Sequence, residues 1–117
     1  MSDAPEDTAP GSEDPGEQRR LQRQIDRAVE GMVLYESAWC PFCMRVDQAL
    51  KSLGIELQRA DIKEDPEAER QLIEGGGQRK VPCLYIPDGD SGQWLYESSD
   101  IIDYLRALVE ELSPQER

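Results

Sequence analysis

At 117 residues the chain is long enough for one hydrophobic core and too short for two. Its 25 acids against 13 bases give a net charge of -12, which argues against nucleic acid, because a binder of phosphate backbones needs a concentrated basic face. No apolar run approaches the roughly 18 residues of a membrane span, and Met1-Ser2-Asp3-Ala4-Pro5-Glu6 has neither the basic nor the apolar part of a secretory signal, so a cytoplasmic, reducing setting is expected.

The first 17 residues hold six acids, no base and almost no large apolar side chain. Such a segment buries too little surface to offset its ordering entropy, which predicts a disordered acidic tail over 1–17. Over 18–30, Leu21, Ile25, Ala28 and Val29 recur at helical spacing while Arg19, Arg20, Arg23 and Arg27 lie largely off that stripe. An N-terminal helix packed on the domain follows, stopped by Gly31, and the main domain occupies 31–117. Met32-Val33-Leu34-Tyr35 is a short apolar run of buried-strand type.

Phe42, Val46, Ala49, Leu50 and Leu53 mark a helix with Pro41 in its first turn and Gly54 as its stop. Ile55 to Ile62 alternates as a half-buried strand, and a helix runs from Asp65-Pro66 to about Glu74. Gly75-Gly76-Gly77 reads as a loop. Val81 to Ile86 and Gln93 to Tyr96 flank a turn-rich segment and form a hairpin. A last helix starts near Ser98 or Ser99, either of which can cap it, and Pro114 lies just past its end. This order of elements predicts an α/β thioredoxin-like fold: a four-stranded mixed sheet covered by helices on both faces, plus the extra N-terminal helix.

Chemistry concentrates at Trp39-Cys40-Pro41-Phe42-Cys43. An odd cysteine count with one Cys-x-x-Cys suits redox work better than a disulfide framework. Cys40 ends the loop leaving the first strand, where first-turn N–H groups and the helix dipole favour the thiolate, the nucleophilic form. Cys43, one turn on and less exposed, is placed to resolve a mixed disulfide formed at Cys40. Structural zinc is not expected, since the chain has no His and Cys83 is the one other thiol. Cys83 itself reads as a core residue pointing away from the pair.

Three segments carry a resemblance over about residues 32–112: Trp39 to Cys43, Lys80-Val81-Pro82-Cys83-Leu84, and Tyr96-Glu97-Ser98 through Leu105. In this order and spacing they resemble the glutaredoxin family and the glutathione-binding N-terminal domain of glutathione transferases. Only about 5–6% of X-Pro bonds in folded proteins are cis, but the resemblance implies that Pro82 is cis and faces the cysteines. It also implies that Val81 pairs its backbone with the cysteinyl unit of glutathione, and that Glu97 and Ser98 hold the γ-glutamyl end. Two departures stand out. Phe42 replaces the common Tyr, and Glu36-Ser37-Ala38 stands where many relatives place Lys or Arg for the glycyl carboxylate, a charge that Lys80 or Arg79 is left to supply.

The implied function is a glutathione-dependent thiol-disulfide oxidoreductase, serving electron transport and cell redox homeostasis. Cys40 is the nucleophile, Cys43 the resolving thiol, and Pro41 and Phe42 structural neighbours of the pair. Glutathione is the reductant, disulfide or glutathionylated proteins are the substrates, and a monomer without metal is expected. The alternatives are a non-catalytic glutathione-binding module of transferase type and a glutathione-ligated iron-sulfur carrier.

Overall fold

The computed structural model of the chain describes residues 15–113. The predicted tail lies outside the described residues up to position 14, as does Pro114; the tail's last three positions, Pro15, Gly16 and Glu17, instead open a helix. This α1 spans Pro15–Ala28, followed by β1 (Val33–Glu36), α2 (Pro41–Leu53), β2 (Gln58–Asp61), α3 (Pro66–Gln71), a π-helical turn (Leu72–Gly76), β3 (Cys83–Asp88), β4 (Ser91–Leu95) and α4 (Ser98–Leu112). The strand order is β2-β1-β3-β4. β1 and β2 are parallel, and the pairs β1/β3 and β3/β4 antiparallel. No described helix is long and apolar enough to cross a membrane.

Alternation along the strands divides the core in two. Leu34, Leu84 and Ile86 point to one face, where they meet Val46 and Leu50 of α2, Ile101, Ile102 and Leu105 of α4, and Ile25 of α1. Tyr35 and Cys83 point to the other, against Ile62, Ala68 and Leu72. Cys83 is therefore fully buried on the α3 face, as its place in the alternation predicts.

Several boundaries differ from the sequence reading, each for a local reason. Ile55 does not begin β2, because Gly54 takes a left-handed φ of 75° and the Ile55 N–H turns back to the Leu50 carbonyl at 3.0 Å, terminating α2. β3 begins at Cys83, after a cis Val81–Pro82 bond. The hairpin turn is only two residues, Gly89 and Asp90, with Asp88 paired to Ser91 and Gly89 at φ 63°.

Gly75 and Gly76 also continue the helical path where a loop was expected. A Cβ on Gly75 would lie 2.2 Å from Trp94 Cζ2, and one on Gly76 2.1 Å from the Tyr96 hydroxyl. The glycines are there because two aromatic rings need the space.

Candidate active site

The strand order brings four chain segments to one end of the sheet. Tyr35 pairs with Cys83 and Glu36 with Asp61, so the loop after β1, the residues before β3 and the end of β2 are neighbours. Leu84 pairs with Leu95, which sends the start of α4 to the same end. The loop after β1 carries Trp39 and Cys40, the segment before β3 carries Lys80 to Pro82, and Glu97 and Ser98 open α4.

Cys40 is the N-cap of α2, with extended backbone at φ -101° and ψ 113°. Its sulfur accepts the Cys43 backbone N–H at 3.2 Å, and its carbonyl accepts the Met44 N–H at 3.0 Å. A cap position normally holds Ser, Thr, Asp or Asn, whose oxygen takes this bond. Here a thiol takes it, so negative charge on that sulfur is met by a first-turn N–H and the helix dipole. Pro41 fills N1, where no N–H is needed.

Cys40 is partly accessible, whereas Cys43 is only 4% exposed. Burial, then the hydrogen bond with Cys40, pushes the Cys43 thiol up to about 12, against the opposing pull of a backbone bond at Ser37. The two thiols are thus unequal: one is reachable and accepts a first-turn N–H, the other is buried and held protonated. Burial likewise pushes Cys83 up to about 12, although a hydrogen bond with Tyr96 opposes it.

The side chains expected to hold glutathione are found paired with acids or with each other. Lys80 Nζ lies 3.0 Å from Glu97 Oε2 across the gap between the Pro82 loop and α4, and the Arg79 guanidinium is bound to Glu69. Ser98 is not a cap. It is the first residue of α4, it is buried, and Glu97 is the N-cap, with no side-chain bond to the helix amides. The Ile101 N–H is satisfied by the Glu97 carbonyl, so the amides before it in the first turn have no acceptor within the helix. Pro82 is buried and Val81 half-buried.

The sequence reading missed a polar network beside Cys43. Arg59 of β2 meets both Glu36 carboxylate oxygens at 3.3 Å and Asp47 Oδ1 of α2 at 2.8 Å, while Lys51 meets Asp47 Oδ2 at 3.1 Å. Hydrogen bonds from Arg59 and Lys51 hold the Asp47 carboxyl below its usual range. Only the β1/β2 register assembles this group, so the sequence alone offered no signal beyond Glu36 standing where a base was expected.

Next to the network Trp39 has a left-handed φ of 63° and is 93% exposed. That conformation costs a non-glycine residue roughly 1–2 kcal/mol. Phe42 and Met44 are also exposed, at 57% and 58%. Among the described residues no group of three or more Cys, Asp or Glu is arranged to hold a metal ion.

A parallel β1-α2-β2 unit, an antiparallel β3/β4 hairpin and a Cys-x-x-Cys at the start of α2 define a thioredoxin-like protein. Residues 32–91 match the family model for glutaredoxin. The chain belongs to the glutaredoxin family. It is 33% identical over 61 residues to a glutaredoxin of Pseudomonas aeruginosa, covering 52% of this chain and 73% of that protein. The structure of wheat glutaredoxin superposes with a TM-score of 0.54 at 25% identity, over 86% of this chain and 96% of that one. A trimeric glutathione transferase of Leishmania, TDR1, gives a TM-score of 0.55 at 27% identity over 67% of this chain, which spans only 18% of that protein's length. Family membership and these neighbours connect the chain to glutathione and thiol oxidoreductase chemistry.

Proposed function

We propose that the protein reduces mixed disulfides between glutathione and proteins, using Cys40 as nucleophile and glutathione as the electron source. One observation carries the reading: Cys40 caps α2 with its sulfur on the Cys43 N–H, while Cys43 beneath it is buried. The Cys40 thiolate attacks the glutathione sulfur of the substrate, the old S–S bond breaks, and the protein thiolate leaves and takes up a proton. A second glutathione thiolate then attacks the Cys40–glutathione disulfide, which regenerates Cys40 and releases oxidised glutathione. On a protein disulfide, Cys43 gives up its proton and attacks the mixed disulfide at Cys40. The resulting Cys40–Cys43 bond consumes two glutathiones on its return to the dithiol.

In this reading Val81 offers its backbone to the cysteinyl unit, and the open amides at Ser98 and Ser99 receive the γ-glutamyl carboxylate. Glu97 receives the ammonium and Lys80 the glycyl carboxylate, so binding exchanges the Lys80–Glu97 pair for two pairs to the ligand. A monomer working in a reducing, cytoplasmic setting is part of the proposal; three cysteines with one Cys-x-x-Cys suit a reducing setting. The transferase-like Glu97-Ser98 start of α4 favours, as a second reading, a module that binds glutathione without turnover.

Glutathione-coupled reduction of a glutathionylated peptide tests it. Cys40→Ser should abolish turnover, and Cys43→Ser should keep part of it through the one-thiol route. Undiminished turnover by Cys40→Ser would overturn the proposal, whereas glutathione binding without turnover by the native chain would establish the second reading.

A further inference from the structure

The site has a second side that the glutathione reading does not use. In the strand order β2-β1-β3-β4 the segment Lys80 to Pro82 and the start of α4 lie to the β3 side of β1. On the β2 side a separate cleft of about 210 Å³ reaches Cys43, between the loop after β1, the first turns of α2 and the end of β2. Its lip is Trp39 and Met44, and its acidic wall is Glu36, Asp47 and Asp61.

Nothing in the fold accounts for this lip. Trp39 is 93% exposed in a left-handed conformation and Met44 is 58% exposed, and neither belongs to the two buried clusters. A large aromatic side chain kept out of the core, immediately before the nucleophile, is available to a partner. The wall specifies which partner. Three carboxylates face the cleft, and the nearby bases Arg59 and Lys51 are both engaged with Glu36 and Asp47, leaving the group net negative. Among the described residues Asp61 has no basic partner; its carboxylate caps the Lys63 and Glu64 amides at 2.8 and 3.2 Å. An indole face beside carboxylates is a favourable setting for an ammonium or guanidinium group.

We infer that this cleft docks the polypeptide half of the mixed disulfide, and that it selects substrates carrying Lys or Arg next to the glutathionylated cysteine. The inference rests on the proposed redox function for its biological meaning. When Cys40 attacks the glutathione sulfur, glutathione occupies the Pro82 side and the leaving polypeptide lies toward β2, its basic side chain between Trp39 and the carboxylates. The replacement of the usual base before Cys40 by Glu36-Ser37 then has a purpose: it moves electrostatic selection from glutathione toward the protein substrate.

Two glutathionylated peptides that differ only in having Lys or Glu on both sides of the cysteine provide the test. At low ionic strength kcat/KM should favour the Lys peptide by about tenfold or more, and the ratio should shrink toward unity as salt screens the charges. The double variant Glu36→Gln/Asp47→Asn, which removes both charges at half-buried positions while keeping the side-chain shape, should collapse or invert the ratio. Trp39→Ala should lower kcat/KM on the Lys peptide more than on the Glu peptide. Equal turnover of both peptides, or a ratio unchanged in the double variant, would overturn the cleft assignment while leaving the redox function intact. Binding is read separately by the change in tryptophan fluorescence that Trp39→Ala abolishes, Trp94 being the other emitter, with the same two peptides carrying Ser for Cys. Tighter binding of the Lys peptide without turnover of either glutathionylated form sustains the cleft and removes the redox function; equal binding of both removes the cleft.

Discussion

Cys43 and Cys83 are both buried thiols pushed up to about 12, yet they serve different ends. Cys43 lies one helical turn from a reactive sulfur, whereas Cys83 is on the opposite face of the sheet and completes the packing around Tyr35 and Leu72. Cys83 has a consequence for stability. A cysteine ordinarily titrates near 9.0, so between pH 9 and 12 the unfolded chain ionises a thiol that the folded chain keeps neutral. Its stabilising contribution is complete below about pH 9 and is lost as pH rises toward 12, at about 1.4 kcal/mol per pH unit. Urea unfolding of the native chain and of Cys83→Ala at pH 7, 9 and 10 should show the variant losing less stability above pH 9, with the gap near 1.4 kcal/mol by pH 10. Cys43 and Tyr104, also raised by burial, add a loss at high pH that both proteins share. Parallel pH profiles for the two proteins would show that Cys83 is not held neutral by the fold.

Among the elements, the π-helical turn joins stability to the site. Trp94 and Tyr96 press on Gly75 and Gly76, and the Tyr96 hydroxyl accepts the Gln78 N–H at 3.3 Å and donates to the Gln78 carbonyl at 3.1 Å. That bond anchors the segment leading to Lys80 and Pro82. Gly76→Ala should therefore cost about 1–3 kcal/mol by overpacking and raise the KM for glutathione, and Gly75→Ala should cost a similar amount with a smaller effect on KM. Thermal unfolding and glutathione titration of turnover measure the two effects; an unchanged KM in Gly76→Ala would detach the Tyr96 anchor from the site. These glycines also mark where the sequence stopped being legible. Periodicity revealed α2 and α4 because their core contacts repeat at local spacing, and the Cys40–Cys43 pair was visible because its spacing is three residues. The continued turn at Gly75 and Gly76 depends on rings about 20 positions later in the chain. The Lys80–Glu97 pair and the Glu36–Arg59–Asp47 group depend on loop paths and strand register, which one sequence does not display.

At the scale of the whole molecule, α1 decides how a short domain completes its core. It adds Ile25, 2% exposed, to the face formed by α2 and α4, and Val29 just past its end, 6% exposed. Gln22 Nε2 also donates to the Gly54 carbonyl at 2.8 Å, tying α1 to the C-terminal end of α2. The cysteines are at the other end of α2, 13 residues and roughly 20 Å away along the axis. Support and chemistry are thus at opposite ends of one helix. Truncating Ile25 removes a fully packed side chain, and Ile→Ala in such a setting costs about 2–5 kcal/mol. In a domain of this size that lowers Tm by roughly 4–8 °C per kcal/mol. Ile25→Ala should therefore melt at least about 8 °C lower while its kcat/KM at 25 °C, well below the new transition, stays near that of the native chain. A loss under about 1 kcal/mol would mean that α1 frays from the domain and that α2 and α4 close the core without it.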